Sequence, residues 1–307
     1  MIVQIYEIQT PEEAQKCIEA GVDHLGSVLL SRESWRLEEI RDVVDLCRQA
    51  GCRSSLIPLF QDRDTLYRVL EYYEPHYLHF CESLTDSQGR MLEIGPLVRT
   101  QADIKERFPE LSIIRSIPIP RERQAPELPF LDIALLFAPV SDIFLIDTWL
   151  GEEPVEGFVG ITGKTCDRLR ASALVREGAI PVILAGGLGP ENVYEAVLDV
   201  LPAGADSCTR TNAVDAAGLP IRFKKDFNKV ETFVTEVRRA EEDAAGRREE
   251  IRAKIEALGD ELKEREKALP AHSIRPHQIM AIEELEDEIA LLEEEQKRLR
   301  ALDGPLP

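Results

Sequence analysis

The stretch at residues 181–197 has the composition of an anion-binding site. It reads PVILAGGLGPENVYEAV: an apolar strand is followed by Gly186-Gly187, and a helix is predicted to begin at Pro190. Glycine lets the backbone approach a ligand closely, and the first turn of a helix presents unpaired N–H groups at its positive end. The stretch therefore predicts a phosphate site, although two glycines in this position also occur where a chain only turns.

A carboxylate ends another apolar strand. Asp147 closes the segment FLID, where a buried charge is costly unless it is paired or used in chemistry. We interpret Asp147 as a catalytic group, with a structural carboxylate as the alternative. Arg36 follows Trp35 beyond the second strand, and its guanidinium can bind a substrate carboxylate through two hydrogen bonds. An exposed arginine at a helix start is the alternative for Arg36.

Two further loops extend the predicted anion site. The loop after the sixth strand carries Gly157, Gly160 and Gly163-Lys164 before a helix, which makes it a second loop rich in backbone amides. Thr209-Arg210 follows the eighth strand. Together with Gly186-Gly187, this pair would complete a phosphate site between the seventh and eighth loops, where barrel enzymes commonly have one.

Strand and helix segments alternate eight times over residues 1–238. The predicted strands are short and apolar, at residues 2–6, 25–30, 54–60, 77–80, 111–117, 143–147, 182–185 and 205–209. Eight regular units favour an α/β fold of the closed (β/α)8 TIM-barrel type, with an open doubly wound sheet as the alternative. In such a barrel the carboxyl ends of the strands form the active site, and the candidate residues all follow strand ends.

Residues 239–307 have a different character. They are rich in Glu, Lys and Arg, and two proline residues in PAHSIRPHQ separate two apolar seams. The spacing predicts an antiparallel helical hairpin of coiled-coil type, with seams at Ile251, Ile255, Leu258 and Leu262 and at Ile282, Leu285, Ile289 and Leu292. A solvated arm is one interpretation. We favour a homodimer or a partner helix bound through residues 239–303, because a lone hairpin buries little apolar surface.

Composition narrows the classes of partner. The formal net charge of −20 argues against binding to nucleic acid or to an anionic membrane. Apolar runs fall short of the ~20 residues needed to span a bilayer, and the first residues lack a basic signal-peptide region. Six cysteines are scattered without CxxC pairs, which is typical of reduced thiols. We therefore expect a cytoplasmic protein whose ligand is a phosphorylated small molecule.

The chain resembles the phosphoribosylanthranilate isomerase family of tryptophan biosynthesis over about residues 1–238. The resemblance is carried by AGVDHLGSVL, YLHFCE, FLIDT, GITGKTCD, ILAGGLGPENVYEAV and KKDFNKVETFVTEVR. It implies a (β/α)8 barrel that performs an Amadori rearrangement, the aldose-to-ketose isomerisation of a phosphoribosyl amine, without metal or cofactor. A general acid at the ring oxygen and a base for the C2 proton are then required.

The resemblance also implies roles for individual residues. Asp147 matches the general acid of the family, and Arg36 matches the arginine that binds the aromatic carboxylate of the substrate. Gly186, Gly187 and the Gly163-Lys164 turn match loops that cradle phosphate. These assignments agree with the interpretation of the same residues from their types and positions.

The first and eighth strands depart from the family pattern. The family reads Lys-Ile-Cys-Gly where this chain has Gln-Ile-Tyr6-Glu7, so that Tyr6 replaces the cysteine base and Glu7 replaces the glycine. Strand 8, normally ending in Ser-Ser-Gly, reads Cys208-Thr209-Arg210. A tyrosine with its ordinary pKa of about 10 is a poor substitute for a thiolate. Tyr6 and Glu7 are catalytic candidates, and Cys81 and Cys208 are further candidates for the base.

Histidine has a minor place in these predictions. His79 ends the fourth strand and is assigned to substrate binding rather than to catalysis, with a packed histidine as the alternative. The five histidines of the chain show no spacing typical of metal ligands, so no metal site is predicted.

Two functions of different class follow from the sequence. The first is a divergent isomerase of this family, acting by acid/base catalysis on a phosphorylated sugar or phosphoribosyl amine. The second is a catalytically altered or inactive barrel that serves as a phosphate-ligand-binding or scaffold protein through its arm. Lyase chemistry on a phosphate ester is disfavoured, because no strand ends in a lysine that could form a Schiff base.

Overall fold

Eight parallel strands close into a barrel in the order of the sequence, and β8 pairs back onto β1. The computed structural model describes residues 1–122, 127–269 and 275–300. The predicted closed barrel is confirmed, and the open sheet is not formed. The strands are β1 (Ile2–Ile5), β2 (His24–Leu29), β3 (Arg53–Pro58), β4 (Tyr77–Phe80), β5 (Ser112–Pro120), β6 (Ile143–Trp149), β7 (Val182–Leu184) and β8 (Gly204–Ser207).

A helix follows each strand on the outside of the barrel. The first begins after Thr10, whose side chain accepts a hydrogen bond from the Glu13 amide at 3.3 Å and so caps the helix. The predicted helix start at Pro190 is wrong, because the seventh helix begins three residues later. The helices are α1 (Pro11–Glu19), α2 (Glu38–Ala50), α3 (Arg63–Tyr73), α4 (Gly95–Arg107), α5 (Phe130–Phe137), α6 (Arg168–Glu177), α7 (Val193–Val200) and α8 (Phe227–Lys267).

Side chains alternate between the barrel interior and the helix layer. On β1, Ile2 packs with interior residues of the barrel such as Leu145, whereas Val3 and Ile5 belong to the core under the helices. This alternation follows from the two-residue repeat of a strand. It directs Tyr6, four residues after Ile2, into the mouth of the barrel.

An insertion after β8 forms a small antiparallel sheet. Its strands are β9 (Asn212–Val214) and β10 (Pro220–Lys225), paired only with each other. The sequence predicted no strands here. The hairpin matters for the site because Arg222 on β10 reaches back to Glu7 after β1, with 2.7 Å between Arg222 Nε and Glu7 Oε1.

The loop between β6 and α6 is pinned across the barrel mouth. The Val159 amide donates to the Cys81 carbonyl at 2.8 Å, and the Ser83 amide donates to the Gly157 carbonyl at 2.9 Å. Beneath these bonds, the buried Arg115 guanidinium pairs with Glu82 at 2.5 Å. This ion pair joins β5 to Glu82, just beyond the end of β4, and breaking it would leave an uncompensated buried charge.

The C-terminal arm is a pair of antiparallel helices. Helix α9 (Pro276–Arg300) runs back along α8, since Arg247 pairs with Glu295 and Lys254 pairs with Glu288. The predicted boundary between residues 238 and 239 falls within the continuous α8. The first of the two predicted breaking prolines, at residue 270, and residues 301–307 lie outside the described residues.

The predicted apolar seams face each other between the two arm helices. Ile251 and Leu292 are buried together, and the same cluster includes Leu201 at the end of α7. The base of the arm therefore packs on the barrel. Among the described helices, none is both long and apolar enough to cross a membrane.

Candidate active site

Three adjoining hollows lie at the carboxyl ends of the strands. The loop cavity has a volume of about 30 Å³ and is lined by Asp147, residues 161–163, residues 185–188, Asp206 and residues 208–210. The barrel-mouth cavity, of about 50 Å³, shares Asp147, Ile161, Asp206 and Cys208 with it. The outer cavity, of about 760 Å³, adjoins the loop cavity through Thr162, Gly163, Thr209 and Arg210. The three hollows thus form one path from the barrel interior to the surface.

Asp147 lies at the centre of this path. Its Oδ1 accepts a hydrogen bond from the Thr148 amide at 2.8 Å, and its carboxyl group packs against Gly160. Gly160 has a φ of +104°, and a Cβ atom there would clash with the Asp147 carboxyl group. The pKa of Asp147 is raised to about 7, chiefly by burial; the Thr148 amide opposes the rise, and the charge of Glu153 contributes to it. Asp147 is therefore suited to hold a proton near neutral pH.

The turn after β7 forms the wall of the loop cavity opposite Asp147. Gly187 has a φ of +61°, and a Cβ atom there would lie 2.6 Å from the carbonyl carbon of Lys164. Asn192 also stabilises the turn: its side-chain oxygen accepts a hydrogen bond from the Gly189 amide, and its side-chain nitrogen donates one to the Gly187 carbonyl. The four residues before α7 thus form a closed turn rather than the first helical turn predicted at Pro190. Gly186 and Gly187 both line the loop cavity.

The remaining predicted phosphate residues surround the same turn. Gly163, Thr209 and Arg210 line both the loop cavity and the outer cavity, whereas Lys164 lines only the outer one. Arg210 lies where the loop cavity adjoins the outer cavity, and its Nη1 donates a hydrogen bond to Glu191 Oε1 at 2.7 Å. The Lys164 carbonyl accepts from Thr148 Oγ1 at 2.6 Å, which couples the loop after β6 to the strand that carries Asp147.

Tyr6 is not arranged as a base. Its hydroxyl lies 2.8 Å from Ser55 Oγ and 2.7 Å from His79 Nδ1, inside the barrel. Burial raises the pKa of Tyr6 well above its ordinary value. Tyr6 stays a predicted catalytic residue, but a hydroxyl engaged in this way and with a raised pKa is poorly suited to act as a base: the side chain fills and braces the mouth of the barrel.

His79 belongs to the same network. Its second ring nitrogen lies 2.8 Å from Ser116 Oγ, and burial lowers its pKa to about 3. A neutral imidazole with both nitrogens engaged is a packed strand-end histidine, which was the alternative interpretation. His79 still lines the barrel-mouth cavity, so that a contact with substrate through its ring remains a prediction.

Glu7 is engaged by the inserted hairpin. Its carboxylate accepts hydrogen bonds from Arg222 Nε at 2.7 Å and from Asn212 Nδ2 at 3.1 Å. Burial raises the pKa of Glu7, but these hydrogen bonds outweigh burial and leave the pKa below its ordinary value. A carboxylate stabilised in this way is a weak base, so that Glu7 is poorly suited to remove a proton from carbon, and its catalytic assignment stays a prediction.

Arg36 lies away from all three cavities. Its guanidinium stacks on the Tyr72 ring at 4.5 Å from the ring centre, on the outer side of α3, and it is exposed. The segment is fixed there because Tyr73 donates a hydrogen bond to the Trp35 carbonyl at 2.7 Å. In this structure Arg36 has the exposed position of the alternative interpretation, and its assignment to the substrate carboxylate stays a prediction.

Sequence reasoning missed Asp206. This residue of β8 is buried, lines both the loop cavity and the barrel-mouth cavity, and accepts a hydrogen bond from Gln4 Nε2 at 3.2 Å. Its pKa is raised to about 8, chiefly by burial; the Gln4 hydrogen bond opposes the rise, and the Asp147 charge contributes to it. The signal that singled out Asp147, a carboxylate in a short apolar strand, also exists in the segment GADS.

The described residues contain no group of three or more His, Cys, Asp or Glu side chains placed to hold a metal ion. The chemical groups that the cavities offer are instead two buried carboxyl groups, backbone at glycine turns and an apolar wall. Val28, Ile57, Leu59 and Phe158 form that wall in the barrel-mouth cavity. Such a site can bind a phosphate, exchange protons with a sugar and pack against an aromatic ring.

Comparison with known proteins found relatives that are N-(5'-phosphoribosyl)anthranilate isomerases. The chain is 28% identical over 241 residues to the N-(5'-phosphoribosyl)anthranilate isomerase of Methanosarcina acetivorans, covering 77% of this chain and 92% of the relative. It is 30% identical over 240 residues to the corresponding protein of Pyrococcus furiosus, covering 76% and 96%. No family model matches the chain.

A solved structure has the same fold. It is a phosphoribosyl anthranilate isomerase in complex with reduced 1-(o-carboxyphenylamino)-1-deoxyribulose 5-phosphate. The TM-score is 0.55 at 20% identity, over 78% of this chain and 99% of that chain. The part of this chain that the alignment does not cover is long enough to contain the C-terminal arm.

Proposed function

Since the chain belongs to the phosphoribosylanthranilate isomerase family, we propose that it catalyses the Amadori rearrangement of a phosphoribosyl amine, with phosphoribosylanthranilate as substrate. One observation carries the proposal: Asp147 and the Gly186-Gly187 turn line the same loop cavity. A phosphorylated sugar can therefore be held by its phosphate while its ring lies against a protonated carboxyl group.

The positions of these groups support an order of events. The phosphate binds at the Gly186-Gly187 turn, close to Gly163 and Thr209, and backbone amides at such a turn suit an anion. The sugar then extends towards Asp147, which donates its proton to the ring oxygen as the ring opens to an iminium ion. A base next removes the proton from C2. Ring opening and removal of the C2 proton each need only a positioned acid or base that transfers a proton.

The aromatic part of the substrate fits the barrel-mouth cavity. Its apolar wall of Val28, Ile57, Leu59 and Phe158 suits a ring, and Asp147 lies where this cavity meets the loop cavity. The small volume of about 50 Å³ implies that the pinned loop carrying Phe158 moves outward when substrate enters.

Turnover of phosphoribosylanthranilate by the purified protein tests the proposal. We expect conversion to the ketose product, tight binding of the reduced product analogue in calorimetry, and competition by inorganic phosphate. An Asp45→Asn variant, changed at a half-exposed carboxylate paired with Arg48 on α2, serves as the control and should match the wild type. A protein that neither turns over the substrate nor binds the analogue contradicts the proposed function.

We also propose that the arm joins two copies of the chain. Leu291 on α9 is 73% exposed among acidic residues, an apolar side chain that a second copy could cover. Size-exclusion chromatography with light scattering is expected to give a dimer, and Leu291→Glu is expected to give a monomer. The same change at Leu169, 85% exposed on α6, is the matched control. A monomeric wild-type protein would refute this assignment.

A further inference from the structure

Asp206 is a buried carboxyl group on the strand next to β1, where the family pattern carries its cysteine base. Strand β8 pairs with β1, and Asp206 lies directly opposite Gln4, two residues before the position that carries cysteine in the family pattern. Alternation along β8 directs Asp206 into the barrel, because Ala205 belongs to the core under the helices. Asp206 also lines both cavities that Asp147 lines. The two carboxyl groups therefore face one hollow.

The other candidates for the base are each unsuited. The Tyr6 hydroxyl is held between Ser55 and His79. The Glu7 carboxylate accepts hydrogen bonds from Arg222 and Asn212, which stabilise its ionised form. The thiols of Cys81 and Cys208 line the barrel-mouth cavity, but burial raises the pKa of both far above neutrality, so that neither is a thiolate.

We infer that Asp206 is the base that removes the C2 proton in this chain, in place of the strand-1 cysteine of the family. The inference rests on the proposed function, and it assigns acid and base to two carboxyl groups on strands β6 and β8. Its physical support is that Asp206 combines burial, an inward direction and access to the cavity of the proposed acid.

The proton transfer balances without an oxidant or reductant. Once ring opening has produced the C1=N iminium ion, Asp206 accepts the proton from C2. The C2–H electron pair forms the C1=C2 bond, and the C1=N π pair returns to nitrogen, which gives a neutral enolamine. The enolamine loses the proton of its C2 hydroxyl group and gains a proton at C1, which gives the ketose.

The electrostatics of the pair keep one proton available to the site. Two carboxyl groups that face one cavity with little water resist ionising together, so that the pair tends to keep one proton. The pKa of Asp206, about 8, lies above that of Asp147, about 7, so that this proton resides mostly on Asp206. The reactive form, with Asp147 protonated and Asp206 ionised, is the minor one of the two singly ionised forms. Burial raises the pKa of Asp206 to about 8, which makes its carboxylate a stronger base than an ordinary one.

An Asp206→Asn variant tests the inference. The substitution keeps the shape of the side chain, and its amide oxygen can still accept from Gln4 Nε2. We expect kcat/KM on phosphoribosylanthranilate to fall by about 10²–10⁴-fold, with the reduced product analogue bound within a few-fold of the wild-type affinity and an unchanged circular dichroism spectrum. Turnover within tenfold of the wild type, or loss of analogue binding, overturns the assignment.

A substrate deuterated at C2 separates catalysis from support of the fold. In Asp206→Asn the removal of the C2 proton becomes rate-limiting, so that the isotope effect on kcat/KM rises above the wild-type value. In Asp147→Asn ring opening becomes rate-limiting, and the isotope effect falls. An isotope effect in Asp206→Asn equal to or below that of the wild type overturns the inference. A wild-type protein without turnover instead removes the proposed function together with any base.

Discussion

Replacing Asp147 by asparagine is expected to lower kcat/KM on phosphoribosylanthranilate by about 10²–10⁴-fold, the usual contribution of a positioned general acid. An asparagine keeps the shape of the side chain against Gly160 but cannot donate a proton to the ring oxygen. Steady-state kinetics on the purified variant measure the effect. The Asp45→Asn variant is the matched control, and an Asp147→Asn enzyme within tenfold of the wild type would contradict the role of Asp147.

The raised pKa of Asp147 predicts how kcat/KM changes on the alkaline side of its pH profile. The pKa of Asp147 is raised to about 7 by burial, so that the acid form is present below this pH and is lost above it. Because the proposed base Asp206 must also be ionised and has a pKa of about 8, kcat/KM of the wild type is expected to rise towards about pH 7, to be highest between about pH 7 and pH 8, and to decline on the alkaline side. In Asp147→Asn the residual rate should lose this decline.

Asp147→Asn should also stabilise the protein at alkaline pH. In the unfolded chain the carboxyl group ionises above about 4, whereas in the folded chain burial keeps it protonated up to about 7. The folded state is thus penalised progressively as pH rises from about 4 to about 7, by up to ~4 kcal/mol at higher pH. Thermal unfolding at pH 5 and pH 8 measures this: the variant should gain more over the wild type at pH 8. An equal gain at both pH values would contradict the raised pKa.

Replacing Gly187 by alanine is expected to raise KM for the phosphorylated substrate by about 100-fold or more. An alanine at a φ of +61° is strained, and its Cβ would lie 2.6 Å from the Lys164 carbonyl carbon, so that the turn must move. Two hydrogen bonds to a charged phosphate, each worth about 1.5–3 kcal/mol, would then be lost. Competition by inorganic phosphate should weaken in parallel.

Gly51→Ala provides the control for Gly187→Ala. Gly51 ends α2 with a φ of +74°, but a Cβ there would meet no atom within 4 Å. Both variants therefore carry the strain of a left-handed alanine, and only Gly187→Ala has the clash beside the proposed phosphate site. An equal rise in KM in the two variants, or none in either, would contradict the phosphate role of the turn.

The division between local and distant contacts explains which predictions agree with the structure. The alternation of short apolar strands with amphipathic helices is a local pattern, and it was sufficient to predict the closed barrel. The apolar seams of the arm are equally local, and Ile251 and Leu292 are buried as the spacing indicates. The start of α7 was misplaced because Asn192 closes a turn over Gly187, a contact that competes with a helix beginning at Pro190.

The surroundings of two predicted site residues, Arg36 and Glu7, depend on contacts with residues that lie far away in the chain. Arg36 is held on Tyr72, and Glu7 is held by Arg222, which lies 215 positions later. Residue type alone leaves each of these groups free to serve as a ligand or a base. Their partners were hidden because a side chain on a loop has no periodic pattern that reports its direction.

The sequence by itself determined the barrel, the helical arm and the strand ends at which chemistry would occur, since these depend on hydrophobic periodicity and on glycine at tight turns. Only the tertiary structure decided which side chains meet there. It brought Asp206 beside Asp147, and it engaged Tyr6 and Glu7 elsewhere. The physical reason is that closure of the barrel joins β8 to β1 and buries carboxyl groups from distant strands in one cavity, where burial changes their pKa.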